Sequence, residues 1–133
     1  MKRRTSLFAM AAAWIAITAI AYATLTHVGV VYAIYYKLAP YLMRPTMQSF
    51  AHFEHIVAFA VVGALFGLAY PKRPILAFGI VIGAAAGLEI LQTMTLDRHG
   101  TLVDALEKMA GGAAGIVIAR VARRLWSASD QSS

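Results

Sequence analysis

An all-α membrane protein, a bundle of four transmembrane helices with both termini cytoplasmic, is the architecture expected of this chain. Three observations carry that expectation. Apolar residues make up 60% of the 133 positions, against about 45–50% in soluble domains. Only 12 Lys+Arg and 6 Asp+Glu are present, too few to coat a soluble core when charged residues normally make up about 25%. The apolar residues also fall into four runs of the length that a helix needs to cross the hydrocarbon core, about 20 residues, with basic residues between them. The lack of cysteine excludes disulfide scaffolds, thiolate metal sites and cysteine nucleophiles. A net charge of +6 suits nucleic acid only when gathered on one folded face. Spread between apolar runs it orients the chain in a membrane instead, and no nucleic-acid partner is expected.

The first run follows Lys2, Arg3 and Arg4 and extends from Leu7 to about His27. Tyr32, Tyr35 and Tyr36 then suit the headgroup level, where amphipathic rings settle, and Pro40 and Pro45 punctuate a loop. Residues 1–49 are therefore read as an N-terminal transmembrane anchor and outer loop. Ala21-Tyr22-Ala23 also resembles a signal-peptide cleavage site, but the apolar run continues past it, which favours a retained anchor. The second run, Phe50 to Tyr70, stops at Pro71-Lys72-Arg73-Pro74. The third runs from Ile75 to about Thr95, and Leu96-Asp97-Arg98-His99-Gly100 separates it from the fourth, Thr101 to about Val121. Residues 50–121 form a three-helix membrane domain and 122–133 a disordered cytoplasmic tail. With four spans, Lys2, Arg3, Arg4, Lys72, Arg73, Arg120, Arg123 and Arg124 fall on one side, against Lys37, Arg44 and Arg98 on the other. The positive-inside rule makes the richer side cytoplasmic.

Ionisable residues inside a span cost at least about 2.5–3.5 kcal/mol each at a helix centre, so each needs a partner or a task. Here they are His52, Glu54, His55, Glu89, Asp104, Glu107 and Lys108, and the assigned orientation puts all of them in the outer half. The hairpin between the third and fourth spans turns near Arg98. Equal rise on its two arms sets Glu89 level with Lys108, and Gln92 level with Asp104 or Ala105. Glu89 and Gln92 share one helix face, as do Asp104 and Lys108, whose spacing suits an intrahelical ion pair. Arg98 or a protonated His55 would neutralise the remaining negative charge. His55, Glu89, Gln92, Arg98, Asp104 and Lys108 are thus expected to converge on one outward-facing site. His55, Glu89 and Asp104 are its candidate acid–base residues, and Gln92, Arg98 and Lys108 its candidate ligand-binding residues. Glu54 and Glu107 are read as solvated charges favoured by the helix N-terminal dipole. His52 and His55 have nitrogen donors at helical spacing, but without a close further motif such as HExxH no metal or other cofactor is expected.

Gly111 and Gly115 continue the Asp104–Lys108 stripe at GxxxG spacing, which lets helix backbones approach closely. Gly79, Gly83 and Gly87 repeat that spacing on the third span, on a face well away from Glu89 and Gln92. That second packing face serves either a neighbouring span or a second copy of the chain, so a homo-oligomer is a candidate partner alongside membrane lipid.

The order His55, Glu89-x-x-Gln92, Arg98, Asp104, Gly111 and Gly115 resembles the VanZ-like family of small bacterial membrane proteins over about Phe50 to Ala119. Leu88-Glu89-Ile90-Leu91-Gln92, Asp97-Arg98-His99-Gly100 and Asp104-x-x-x-Lys108-x-x-Gly111-x-x-x-Gly115 carry the likeness. The chain departs from it at Ala51-His52, where many members have Asp-Lys shortly before the first His, and at Lys108, where many have Asn. The resemblance implies a multi-pass protein of the bacterial inner membrane, in a family of unsettled biochemical activity whose namesake is linked to teicoplanin-type glycopeptide resistance. Two functions are expected from the polar site: recognition of an envelope lipid, glycan or partner protein, or acid–base catalysis on an anionic lipid-linked envelope intermediate held by Lys108 or Arg98. Transport is a weaker third, limited by four spans without an internal repeat.

Overall fold

The computed structural model describes residues 2–25, 47–94 and 101–129, with side chains for 6–25, 53–94 and 101–129. Among these the chain forms four helices and no strand: α1 (Lys2–Leu25), α2 (Met47–Ala69), α3 (Pro74–Thr93) and α4 (Leu102–Ser129). Residues 26–46 of the expected outer loop, the connector containing Arg98 and the side chain of His52 lie outside the described residues, while 47–49, expected in that loop, begin α2.

The helix ends follow from local chemistry. Between α2 and α3, backbone bonds from Tyr70 N to Phe66 O (2.9 Å) and from Arg73 N to Tyr70 O (3.1 Å) close the turn. Pro74 then opens α3 within its first turn, where a missing N–H costs nothing and the fixed φ is already helical. Thr101 caps α4: its Oγ1 accepts from Asp104 N (3.1 Å) and donates to Asp104 Oδ2 (2.7 Å), a variant of the capping box. At the other end α4 runs on through Ser129, which corrects the expected disordered tail over 122–129. Beyond Gly115 the sequence has neither Gly nor Pro to stop it, and Ala, Arg and Leu are strong helix formers.

Two of the helical segments, Ser6–Leu25 and Pro74–Thr93, are long and apolar enough to cross a membrane. The 20 residues of α3 rise about 30 Å, the thickness of the hydrocarbon core. The apolar part of α2 is shorter, Phe53–Ala69, and α4 carries Asp104, Glu107 and Lys108 near its start and arginines from Arg120 onward.

Glycine decides how the helices meet. A Cβ on Gly111 would strike the carbonyl of Ile56, one on Gly115 that of Ala60, and one on Gly63 that of Gly112. The α2 and α4 backbones are therefore in direct contact along the GxxxG stripe, as its spacing implied. Gly112 turns toward α3, where a Cβ would meet Val81. By contrast, a Cβ on Gly79, Gly83 or Gly87 would find nothing within 4 Å, so within the described chain that second stripe packs against nothing. The buried core joins Ala13 and Ile17 of α1 to Phe59, Val62 and Phe66 of α2, Val81 and Leu88 of α3 and Ile116 of α4. Trp14 of α1 packs edge-on against Phe66, with centroids 5.4 Å apart, and its indole N–H donates to the Tyr70 hydroxyl (3.2 Å).

Ser6 Oγ donates to Ala69 O (3.5 Å) and Arg120 donates to Pro71 O (3.4 Å). The start of α1, the α2–α3 turn and the last third of α4 therefore share one end of the bundle. The starts of α2 and α4 and the end of α3 share the other. Large apolar side chains cover the flanks, among them Phe8 at 74% exposure and Ile75 at 86%, a surface that water alone does not favour.

Candidate functional site

The polar residues of α2, α3 and α4 meet at the end of the bundle opposite the α2–α3 turn. Lys108 is 1% exposed. Its Nζ forms an ion pair with Glu89 Oε2 and donates to Gln92 Oε1 (3.2 Å). Glu89 and Gln92, also buried, present both acceptors from one face of α3, and the equal depth inferred from the hairpin is what lets a single ammonium reach both. The second carboxylate oxygen, Glu89 Oε1, accepts from Thr101 N (2.7 Å). That N–H is released by the turn into α4, so the buried ion pair also fixes where α4 begins. An unpartnered charge at this depth would cost several kcal/mol; here both Glu89 oxygens are satisfied.

Beside this buried group lies a second, more open one. Asp104 Oδ1 stands 3.7 Å from His55 Nδ1, too far for a hydrogen bond, and that nitrogen is buried without a hydrogen-bond partner. The Thr101 hydroxyl holds the other Asp104 oxygen and so fixes the orientation of the carboxylate. Glu107, half-buried, completes the group: His55, Asp104 and Glu107 each place one donor atom within 4.8 Å of the others. One imidazole nitrogen and two carboxylates are donors suited to a divalent cation. They are equally suited to exchanging a proton, since an imidazole and a carboxylate side by side are acid–base partners.

The convergence expected from sequence thus divides in two. Glu89, Gln92 and Lys108 form a closed internal network, and His55 and Asp104 lie next to it at the surface. Arg98 lies outside the described residues. Lys108, spaced for an intrahelical pair with Asp104, reaches across to Glu89 and Gln92 on α3, which are buried as it is. Glu107 departs from the solvated role expected of it. Its spacing of three from Asp104 was the available signal, since residues three apart share a helix face. The Thr101-x-x-Asp104 cap is legible in the same way, from a Thr three residues before an Asp at a helix start.

Comparison with protein-family models, with curated proteins and with solved structures finds no match to this chain.

Proposed function

We propose that this chain is a VanZ-like integral membrane protein of the bacterial inner membrane. In this reading all four helices span, both termini are cytoplasmic, and the polar end of the bundle opens outward to recognise an envelope lipid or glycan. One observation carries the choice of ligand: Lys108 is consumed by Glu89 and Gln92, so the open part of the site presents the acceptors of His55, Asp104 and Glu107. Such a surface suits a ligand rich in hydroxyl or ammonium donors. Phe53, Leu102, Val103 and Leu106, exposed on the same ends of α2 and α4, support a lipid-linked ligand, since binding sites combine apolar walls with a few convergent polar groups.

The test is mass spectrometry of the lipids retained by the full chain when it is extracted in native membrane discs. One envelope lipid or glycolipid enriched over the bulk membrane, and lost in Asp104→Asn, is the expected result. A retained lipid profile identical to the bulk would end the proposal. Topology is read separately by introducing single cysteines at Gly100 and Ser133, where labelling from outside is expected only at the first.

A second reading, acid–base catalysis on a lipid-linked intermediate, is favoured by the unpartnered His55 Nδ1 beside Asp104. General acid–base residues contribute about 10²–10⁴-fold. Catalysis would therefore make turnover of the retained lipid collapse in His55→Gln and in Asp104→Asn, whereas recognition predicts only weakened retention.

A further inference from the structure

At the opposite end of the bundle α4 outlasts its partner. The face that packs on α2, where Gly67 meets the backbone of Ile116, continues at helical spacing into Arg120, Arg123, Arg124 and Ser127, while α2 has stopped at Ala69. The overhang and the α2–α3 turn enclose an open pocket of about 420 Å³. Gly67 and Pro71 line it together with four cations, Lys72, Arg120, Arg123 and Arg124, and no carboxylate takes part. Arg120 is tethered to Pro71 O (3.4 Å), so one guanidinium is positioned in advance. Orientation in the membrane accounts for basic residues at this end. It does not require every arginine of residues 120–129 to fall on one face, because the flanks of the helix serve that purpose equally well. On those flanks stand apolar residues instead: Val121, Leu125 and Trp126 are exposed, as is Leu68 beside Gly67.

We infer that this pocket binds the phosphates of an anionic phospholipid headgroup from the leaflet at that end. Guanidinium groups pair bidentately with phosphate oxygens, and basic pockets between transmembrane helices are suited to such headgroups. Four cations match a headgroup with two phosphates better than one with a single charge. The exposed Leu68, Val121, Leu125 and Trp126 give the acyl chains a surface beside the pocket, which a soluble anion would not use. This site lies away from His55 and Asp104 and rests only on the reading of the chain as a membrane bundle.

The experiment uses the full chain in membranes and then in detergent. Retention in carbonate-washed membranes is read first: a chain washed away overturns the membrane reading itself. The retained protein is then titrated by native mass spectrometry with cardiolipin, phosphatidylethanolamine and inorganic pyrophosphate. Cardiolipin is expected to bind on the order of tenfold more tightly than phosphatidylethanolamine, and the Arg123→Gln/Arg124→Gln pair to remove most of that preference. Arg73→Gln, which deletes a charge in the same turn but outside the pocket lining, is expected to leave it unchanged. No preference for cardiolipin in the parent protein overturns the site without any appeal to the variants. An equal loss in Arg73→Gln would show bulk charge at work and not the pocket. Pyrophosphate binding as tight as cardiolipin would assign the site to a soluble anion.

Discussion

The two ends of this bundle handle charge in opposite ways. At the His55 end the ammonium of Lys108 is buried and faces Glu89 and Gln92, and the next carboxylate, Asp104, is held by Thr101 beside His55. At the arginine end Lys72, Arg120, Arg123 and Arg124 share one pocket that no carboxylate lines. The difference follows from depth. A charge removed from water has to be matched by the protein itself, because desolvation otherwise costs several kcal/mol per ion. A charge left in the aqueous layer is screened within about 8–10 Å by salt, so the fold can leave its neutralisation to an external anion. The Lys108–Glu89–Gln92 network is therefore closed and internal, whereas the cations of the arginine end line an open pocket without a carboxylate. Removing single side chains at each end tests that contrast.

The largest effect is expected from Lys108→Ala. It strands Glu89 in a site that is nearly closed to water, and breaking a buried pair by removing one partner costs about 3–5 kcal/mol. Replacing both partners together, Lys108→Met with Glu89→Gln, is expected to recover much of the loss, because an uncharged pair has no ion to desolvate. Thermal unfolding in detergent measures both. A single variant as stable as the parent would mean that the ammonium reaches water, and the contrast between the ends would fail.

Next is the joint between the ends. Gly115→Ala pushes a methyl group into the Ala60 carbonyl, backbone that has no rotamer to change, and overpacking of this kind costs about 1–3 kcal/mol. Gly83→Ala on α3 meets nothing within 4 Å and should be neutral or stabilising by up to about 1 kcal/mol through helix propensity. Measured side by side, the two substitutions separate the glycine stripe used inside this chain from the one left open. A loss at Gly83 as large as that at Gly115 would point to a second copy packed on α3, visible as a change in oligomer mass.

Much of this was legible in the residues, for identifiable reasons. Apolar run length marks helices because a span has a required length, and α2 and α3 begin and end within a few residues of the expected limits. Equal rise on two antiparallel arms brought Glu89 level with Lys108 without any knowledge of side-chain direction. What spacing did not reveal is which of two possible partners an ion chooses. Asp104 at four residues and Glu89 across the hairpin were both candidates for Lys108 by spacing, and spacing does not say which of them shares its buried position; Glu89 does. The pocket at the arginine end was equally hidden. Its cations carry an orientation signal in the sequence, and only the extension of α4 past the end of α2 brings them into one pocket.

Thr101→Ala should have a smaller effect than either core change. It deletes the hydroxyl that satisfies Asp104 N and orients Asp104 Oδ2 but keeps the backbone N–H that Glu89 accepts. Loss of an N-cap costs about 1 kcal/mol. The more informative readout is ligand retention: if the cap aims Asp104 at the site, Thr101→Ala should weaken binding of the envelope ligand as Asp104→Asn does, at a fraction of the stability loss of Lys108→Ala. Unchanged retention would show that Asp104 finds its position through α4 alone.

The smallest effect on stability is expected at the arginine end, and its smallness is the sharpest form of the contrast. Arg123 is exposed on the overhanging part of α4, where α2 no longer packs, so Arg123→Gln removes neither a buried contact nor the partner of a buried charge. Glutamine is nearly as good a helix former as arginine, and exposed substitutions away from such features change stability little. The melting midpoint in lipid-free detergent should therefore match that of the parent. Added cardiolipin should then raise the midpoint of the parent more than that of Arg123→Gln, since a ligand stabilises in proportion to its affinity for the folded state. For Lys108→Ala the order reverses: the midpoint is low without lipid, and cardiolipin raises it by as much as it raises the parent's. A drop in the lipid-free midpoint of Arg123→Gln comparable to that of Lys108→Ala would mean that the arginine end is also a structural network, paired within the protein and not open to an external anion.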